Sequence, residues 1–317
     1  MDRTRLQRGL IVSALLLAGI AAPLSGADSA SPNPLAARWT VPEQLEEVLT
    51  SEPADCRPAT SVPAEAERIA IGAAVFRSPL LLGGQAARSG LSCNSCHRGG
   101  HDNPGFSYPG LSGEPGTADV TSSLFSSHRG DGTFNPRPIP DLSGPKAALK
   151  IDQTKDSAKL ASFIHGLITE EFDGPEPPPA VLDGLAAYVR ALDPGACRAP
   201  VRLDLAGALH RVDAALDAAG HRAQAGDAAS ARLLISAARS ELGLIDERYS
   251  HQQPTGLRRA ATALGTIERR ASGDPQGAAT ALLRWRSAQS GWTRPLRAAE
   301  AQSLYNPVVL RRELAAR

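Results

Sequence analysis

The chain has 317 residues, of which 42% are hydrophobic and 4% aromatic, with 29 Gly, 25 Pro, four Cys and one Met. The hydrophobic fraction is enough for a buried core and excludes a wholly disordered chain. The length allows one to three domains. A protein with many membrane spans is excluded as well, because the one long apolar stretch lies at the N-terminus. The formal net charge is +1, but residues 28–200 carry 14 basic and 21 acidic side chains, whereas residues 201–317 carry 17 and 11.

A secretory signal peptide is predicted over residues 1–27. Three Arg in the first eight residues precede an apolar run from Leu10 to Ala22, and small residues before Asp28 offer a cleavage site. An uncleaved anchor is the alternative, although the run is short for a membrane span. We therefore expect a periplasmic or otherwise exported protein, with no membrane span after cleavage and an oxidising environment for its cysteines.

Residues 28–61 are rich in Pro, Ala and Ser and predict a flexible lead-in. The first helix is predicted at Pro63–Phe76, where apolar residues share one face. Gly72 lies in the middle of this helix, where it costs about 1 kcal/mol relative to Ala unless another element packs tightly against it.

The segment Cys93-Asn94-Ser95-Cys96-His97 has the spacing of covalent haem c attachment. Two thiols three residues apart on one turn add to the two vinyl groups of a haem, and the next imidazole then lies under the iron. A redox pair or half of a zinc site has the same Cys spacing, but the chain lacks a second Cys/His pair and a βαβ context. The motif predicts one haem c, with Cys93 and Cys96 as attachment points and His97 as axial ligand.

Residues 98–145 hold 9 Gly and 7 Pro, a density that predicts loop without regular elements. So long a loop is uncommon in a compact domain unless it wraps something, and a haem is a large apolar body to wrap. Two helices are predicted beyond it, at Leu160–Glu170 and Pro178–Leu192, the second ended by Pro194-Gly195.

Cys56 and Cys197 bracket the haem segment. In cytochrome c folds the first and last helices pack together, so a disulfide between these residues would close the domain. Closing so long a loop is worth roughly 4–5 kcal/mol in the entropic model. The alternative is two unrelated thiols.

After Pro200 the sequence becomes rich in Ala, Leu and Arg. Four helices are predicted, with apolar stripes that begin at Leu205, Leu234 and Leu257, and with Asp274-Pro275 as the N-cap and first position of the fourth. Short breaks between them favour an antiparallel bundle over 200–317. The basic charge of this part either is simply solvated or docks the bundle on the acidic haem domain.

Several stretches carry a family resemblance: Gly72 and Phe76, Leu91 to His97, Phe134 to Leu142, Glu171-Phe172, and Leu182 to Tyr188. They resemble bacterial di-haem cytochrome c peroxidases and the related MauG-type proteins. The resemblance implies an all-α fold with a cytochrome c-like haem domain at 62–199 and long Gly/Pro loops. The C-terminal bundle lies outside it.

The chain departs from that family at the iron. Family peroxidases carry two haems, whereas this sequence has one CxxCH motif. Their electron-transfer haem often takes a Met as sixth ligand, and here Met1 is the only one. Where family members place a distal residue, the sequence reads Lys150-Ile151-Asp152-Gln153, which contains no usual strong ligand.

Three histidines are candidate sixth ligands. His128, in a Gly-flanked loop, is the first candidate, and Arg129 beside it is a candidate catalytic residue. His101 is close to His97 in sequence and is expected on the same side of the haem. His165 lies on a predicted helix among apolar residues, which favours a packed role. A water, a lysine or an open position stays an alternative.

The sixth position decides the function. Two strong ligands give an iron that only passes electrons, whereas an open position lets peroxide bind. Because a second haem is missing, we interpret the chain as an electron-transfer cytochrome with a redox protein partner. A peroxidase-like oxidoreductase that reduces hydrogen peroxide and a haem-based sensor or interaction module remain alternatives. No nucleic-acid partner is expected.

Overall fold

The computed structural model describes residues 34–144, 149–154, 157–249, 252 and 254–316. The chain divides into two units, Met1–Ala30 and Ser31–Arg317, and every described residue belongs to the second. The predicted signal peptide lies outside the described residues. The described chain is mostly helical, which confirms the all-α prediction. Within it no helix has the length and apolar character needed to cross a membrane.

The described residues of the first half of the chain contain six helices, with loops of different lengths between them. They are α1 (Pro42–Thr50), α2 (Pro63–Phe76), α3 (Gly84–Ser89), α4 (Cys93–Cys96), α5 (Lys159–Gly166) and α6 (Pro179–Ala191). A π-helical turn, Leu167–Glu171, continues α5. Single 3-10 turns occur at Leu35–Arg38, Pro79–Leu81, Arg98–Gly100 and Pro194–Ala196. The helices predicted at 63–76, 160–170 and 178–192 are therefore confirmed.

Helices α2 and α6 cross in close contact at two glycines. A Cβ built on Gly72 would lie 2.1 Å from the carbonyl oxygen of Gly184, and one on Gly184 would lie 2.8 Å from Cγ2 of Ile71. The rings of Phe76 and Tyr188 pack beside this crossing, with centroids 5.0 Å apart. Gly72 thus has the tight packing partner that offsets its unfavourable helix propensity.

Six further helices are formed by the part of the second half that the structure describes. They are α7 (Leu205–Gln224), α8 (Ala228–Arg248), α9 (Thr255–Ala271), α10 (Pro275–Ser287), α11 (Ser290–Ala299) and α12 (Pro307–Ala315). Asp204, Asp227 and Asp274 cap α7, α8 and α10, each accepting a backbone N–H three residues on. Helices α7, α8 and α9 each pack on the next one, α10 also packs on α7, and α11 packs on α9. The sequence predicted α7 to α10 but not α11 and α12.

Among the described residues there are two short antiparallel strand pairs. β1 (Ser51–Glu52) pairs with β4 (Val201–Arg202). β2 (Thr117–Ala118) pairs with β3 (Arg137–Pro138) inside the segment predicted to be loop throughout. The second pair closes a hairpin within the Gly- and Pro-rich region, whose described residues form no long regular element.

The helices of the two predicted domains share one main core. This main core includes Ile71 of α2, Leu185 of α6, Leu216 of α7 and Leu264 of α9. A second core of Trp39, Leu82, Leu91, Phe106, Leu111 and Phe125, with their neighbours, lies under the Gly- and Pro-rich loops. Ion pairs join the halves as well, between Arg222 and Glu67 at 3.3 Å and between Arg311 and Glu46 at 2.9 Å.

The lead-in differs from its prediction where it is described. Residues 34–61 contain α1 and β1 rather than a flexible segment. Leu49 of α1 is buried against Leu304 and Leu310 near the C-terminus. The apolar residues that order this stretch lie more than 250 positions away, so its composition did not reveal them.

Candidate haem site

The CxxCH motif forms a separate helical turn with its own caps. Ser92 is the N-cap of α4, and its backbone N–H donates to Oγ of Ser95 at 3.1 Å in a capping box. Cys93 and Cys96 stand at the two ends of this turn, and neither sulfur is in a disulfide. His97 follows as the C-cap. Local sequence therefore places the two thiols and the imidazole on one short rigid element.

The two thiols face different apolar regions. Cys93 packs against the main core, and Cys96 packs against the second core. Burial raises the pKa of each thiol to about 12, so both are protonated at neutral pH. The site thus lies between the two cores, in surroundings suited to a large apolar group.

The imidazole of His97 is held through one of its two nitrogens. Its Nδ1 lies 3.0 Å from the carbonyl oxygen of Pro140, and Nε2 has no hydrogen-bond partner among the described residues. Burial lowers the pKa of His97 to about 4, although the Pro140 bond and Asp141 oppose the shift. At neutral pH the ring is therefore neutral, donates from Nδ1 and keeps the lone pair of Nε2 free. Metal-bound histidines have this arrangement.

The loop that carries Pro140 is fixed to the CxxCH segment. The backbone N–H groups of Leu142 and Ser143 both donate to the carbonyl of Gly100, at 3.0 and 3.2 Å. The Oγ of Ser143 donates to Asp141 at 2.6 Å, and the Asp141 carboxylate also accepts the backbone N–H of Ser143. These bonds hold the Pro140 carbonyl against His97.

Cys56 and Cys197 form a disulfide, with Cα atoms 4.1 Å apart and 141 positions between them. Nε2 of His101 lies 3.2 Å from the sulfur of Cys56. The ligand atoms of Cys56, His101 and Cys197 lie within 4.8 Å of one another, a spacing that a metal site would also have. Because the two sulfurs are bonded to each other, they are not available as thiolate ligands.

His101 connects this disulfide to the Pro140 loop. Its Nδ1 lies 3.1 Å from Oγ of Ser143 and 3.4 Å from a carboxylate oxygen of Asp141. The ring therefore bridges the disulfide on one edge and the loop that positions His97 on the other. The sequence did not indicate that His101 helps to position the loop that holds His97.

The other two histidines predicted as candidate sixth ligands have protein partners. The side chain of His128 is 63% exposed, with Nε2 3.9 Å from Asp173. Nε2 of His165 lies 2.8 Å from a carboxylate oxygen of Glu176 at the surface. The packed position predicted for His165 is therefore wrong, because its ring points to an exposed carboxylate.

Arg129 is fixed by two consecutive carboxylates. Its Nε and Nη2 donate to the same oxygen of Glu170, at 2.8 and 2.5 Å, and Nη1 donates to Glu171 at 3.3 Å. The guanidinium thus binds two carboxylates at the end of the π-helical turn that continues α5.

Glu171 has a buried carboxyl group. In the sequence this residue was noted only as part of the family resemblance. It is 6% exposed, and its Oε2 has no hydrogen-bond partner among the described residues. Burial raises its pKa, although the charges of Arg129 and Lys150 oppose the shift. A buried carboxyl with a free oxygen is a candidate proton donor or acceptor.

The donor set at α4 fits a covalently attached haem: two free thiols on one turn, a neutral imidazole with Nε2 unengaged, and apolar cores on both sides. Comparison with protein-family models, curated proteins and solved structures gives no match for this chain.

Proposed function

We propose that the chain is an exported c-type cytochrome that carries one haem and transfers electrons to or from a redox protein partner. In this proposal residues 62–199 form a cytochrome c-like haem domain and α7 to α10 an antiparallel bundle. The observation that supports it is that the CxxCH turn ends in a His97 ring whose Nδ1 donates a hydrogen bond to the carbonyl oxygen of Pro140. This hydrogen bond leaves Nε2 as the free ligand atom.

The haem would be held by thioether bonds to Cys93 and Cys96 and by the imidazole of His97. When bound, it supplies a one-electron redox couple at the iron. The protein contributes orientation and basicity: the hydrogen bond to the Pro140 carbonyl fixes the plane of the imidazole and increases electron donation from Nε2. The surrounding apolar cores limit the access of water.

Covalent attachment is tested by expression with a haem maturation system, followed by denaturation and acid–acetone extraction. Cys93→Ala and Cys96→Ala should each sharply reduce haem that stays with the polypeptide, and the double variant should retain none. The matched control is Ser162→Ala, at an exposed position of α5, which should keep full attachment. Haem that resists extraction in the C93A/C96A variant would contradict the proposal.

A peroxidase-like activity is the second candidate. It is favoured because the three histidines considered as sixth ligands have other partners. His101 lies against Cys56, His128 faces Asp173 and His165 faces Glu176. If no histidine completes the coordination, peroxide has access to the iron. The Arg129–Glu171 pair would then be a candidate for assisting proton transfer.

Visible spectra of the purified holoprotein separate the two functions. An electron carrier with two strong ligands should give low-spin spectra that neither CO nor peroxide changes. An enzyme should bind CO in the ferrous form, react with peroxide, and lose most of its turnover in Arg129→Gln but not in Arg137→Gln, a substitution in the exposed strand β3.

The proposed periplasmic location is supported by the disulfide, which persists in oxidising compartments. Fractionation of cells that produce the full chain tests it: the mature protein should be released with the periplasmic contents. Recovery with cytoplasmic marker proteins would contradict export.

A further inference from the structure

A cavity of about 460 Å³ lies on the side of α4 that does not carry the cysteines. Its wall is formed by segments 35–52, 94–98 and 240–248, among others, so it joins the lead-in, the CxxCH turn and α8. Asn94 and Ser95 line it, whereas Cys93, Cys96 and His97 do not. The cavity is therefore separate from the haem site, and its volume lies within the range of about 300–1,000 Å³ that small-molecule sites occupy.

One guanidinium in this wall is buried without an ion pair in the described part of the chain. Arg248 is 8% exposed, and its Nη1 is buried with no hydrogen-bond partner among the described residues. The guanidinium packs over the ring of Tyr305, 5.6 Å from its centroid, which orients the side chain but does not satisfy its N–H groups. A buried cation in this state is costly unless a ligand accepts its hydrogen bonds.

A second guanidinium in the wall lacks a carboxylate partner as well. Arg98 donates from Nη2 to the backbone carbonyls of Val48 and Ser51, and it forms no ion pair within the described chain. The carbonyl oxygens accept hydrogen bonds from Nη2, and the charges of Glu47 and Glu52 act on the guanidinium without forming an ion pair with it.

The acidic groups of the wall are already engaged. Glu52 pairs with Arg77 at 2.5 Å, and Glu241 pairs with Arg211 at 3.0 Å. Glu247 accepts the backbone N–H of Leu35 at 2.6 Å. The wall holds these three glutamates and four arginines, two of which, Arg98 and Arg248, form no ion pair in the described chain, so an entering ligand meets a net positive charge.

The remaining wall is largely apolar. It is lined by Leu35, Trp39, Leu49, Leu203 and Leu244. An inorganic anion would leave these side chains in contact with water, whereas a carboxylate with a short hydrocarbon body would cover them.

From these observations we propose that the cavity binds a small organic carboxylate. Its carboxylate accepts hydrogen bonds from the Arg248 guanidinium, and its apolar body packs against Trp39 and the neighbouring leucines. The site does not depend on the haem, so it stands apart from the electron-transfer function.

Isothermal titration of the purified full chain with acetate, butyrate, hexanoate, hexanol and inorganic phosphate tests the proposal. Hexanoate should bind with 1:1 stoichiometry and at least about tenfold more tightly than acetate, since each added methylene gains apolar contact. Hexanol should bind at least about tenfold more weakly than hexanoate, because it lacks the charge that Arg248 requires. No saturable heat with hexanoate, or equal affinity for hexanol, would overturn the proposal, and tighter binding of phosphate would replace it by an inorganic anion site.

Two variants of α8 locate the site. Arg248→Gln should weaken hexanoate binding about tenfold or more, whereas Arg232→Gln, an exposed arginine on the same helix, should leave it unchanged. Equal affinity in both variants would overturn the assignment to this cavity. If Arg248→Gln does not fold, the chain-length series on the unaltered protein still decides the proposal.

Discussion

The ring of His101 touches the disulfide of Cys56 through Nε2, at 3.2 Å, while its Nδ1 lies 3.1 Å from Oγ of Ser143. Ser143 and Asp141 belong to the loop whose Pro140 carbonyl holds His97. One imidazole therefore connects the closure of the domain to the orientation of the proposed iron ligand.

Replacing His101 should disturb both stability and the haem. In His101→Ala the Pro140 loop loses its bridge to the disulfide, so the hydrogen bond that orients His97 weakens and Nε2 becomes less basic. We expect a lower Tm together with a shifted midpoint potential of the holoprotein, measured by thermal unfolding and redox titration. His210→Ala, at an exposed position of α7, is the matched control and should change neither quantity. A lower Tm with an unchanged potential would show that His101 supports the fold only.

The disulfide should contribute strongly to stability because of the length of the loop it closes. Its cysteines are 141 positions apart, for which the entropic model gives about 4–5 kcal/mol. Urea unfolding of C56S/C197S should show a loss of that size in the free energy of unfolding. Wild-type protein with reductant should lose the same amount, and a loss below about 1 kcal/mol in both would contradict the expectation.

The crossing of α2 and α6 should not tolerate a side chain at either glycine. Gly72→Ala places a Cβ 2.1 Å from the Gly184 carbonyl, so the helices must separate, and we expect a loss of about 2–3 kcal/mol or more. Gly220→Ala in α7 is the matched control, because a Cβ there meets nothing within 4 Å. The control should gain about 0.5–1 kcal/mol from better helix propensity. Denaturant unfolding checks both, and a neutral Gly72→Ala would mean that the crossing is loose.

Features set by neighbouring residues could be predicted from the sequence. The Asp274-Pro275 cap opens α10 as expected, with the backbone N–H of Gly277 donating to Asp274 at 2.8 Å. The apolar stripes of α7 to α9 are buried because their period matches the helix. The cysteines at 93 and 96 lie on one turn for the same local reason.

Features that depend on distant residues or on backbone atoms could not be predicted. The partner of His97 is a carbonyl oxygen, which every residue has, so nothing in the side chain of Pro140 marks it. Leu49 is ordered by Leu304 and Leu310, residues from the other end of the chain. A composition rich in Pro and Ala gave no sign of these contacts, and it predicted flexibility instead.

The buried pair of Glu52 and Arg77 should make stability depend on pH. Burial alone would raise the pKa of Glu52, but the charges of Arg77 and Arg211 and hydrogen bonds from Arg77 and Asn94 lower it to about 2. An unfolded glutamate has an ordinary pKa, near 4.5. Between these values the unfolded chain binds a proton that the folded chain does not, so acid favours unfolding.

We therefore expect this contribution to be complete above pH 4.5 and to disappear as the pH falls to 2. Its size is about 3 kcal/mol, from the difference of the two pKa values. Glu52→Gln should lose about 3 kcal/mol at pH 7, because buried Arg77 then keeps one ion pair within the described residues, with Asp55 at 3.6 Å. Urea unfolding at pH 7, 4.5, 3 and 2.5 measures both quantities.

The decisive comparison is the slope of stability against pH. Between pH 4.5 and 2.5 the free energy of unfolding should fall less in Glu52→Gln than in the wild type, because the variant has no proton to bind at this position. Glu114→Gln removes an exposed carboxyl group and should keep the wild-type slope. If Glu52→Gln and the wild type lost stability in parallel, the carboxylate of Glu52 would not be the group that the guanidinium of Arg77 keeps ionised.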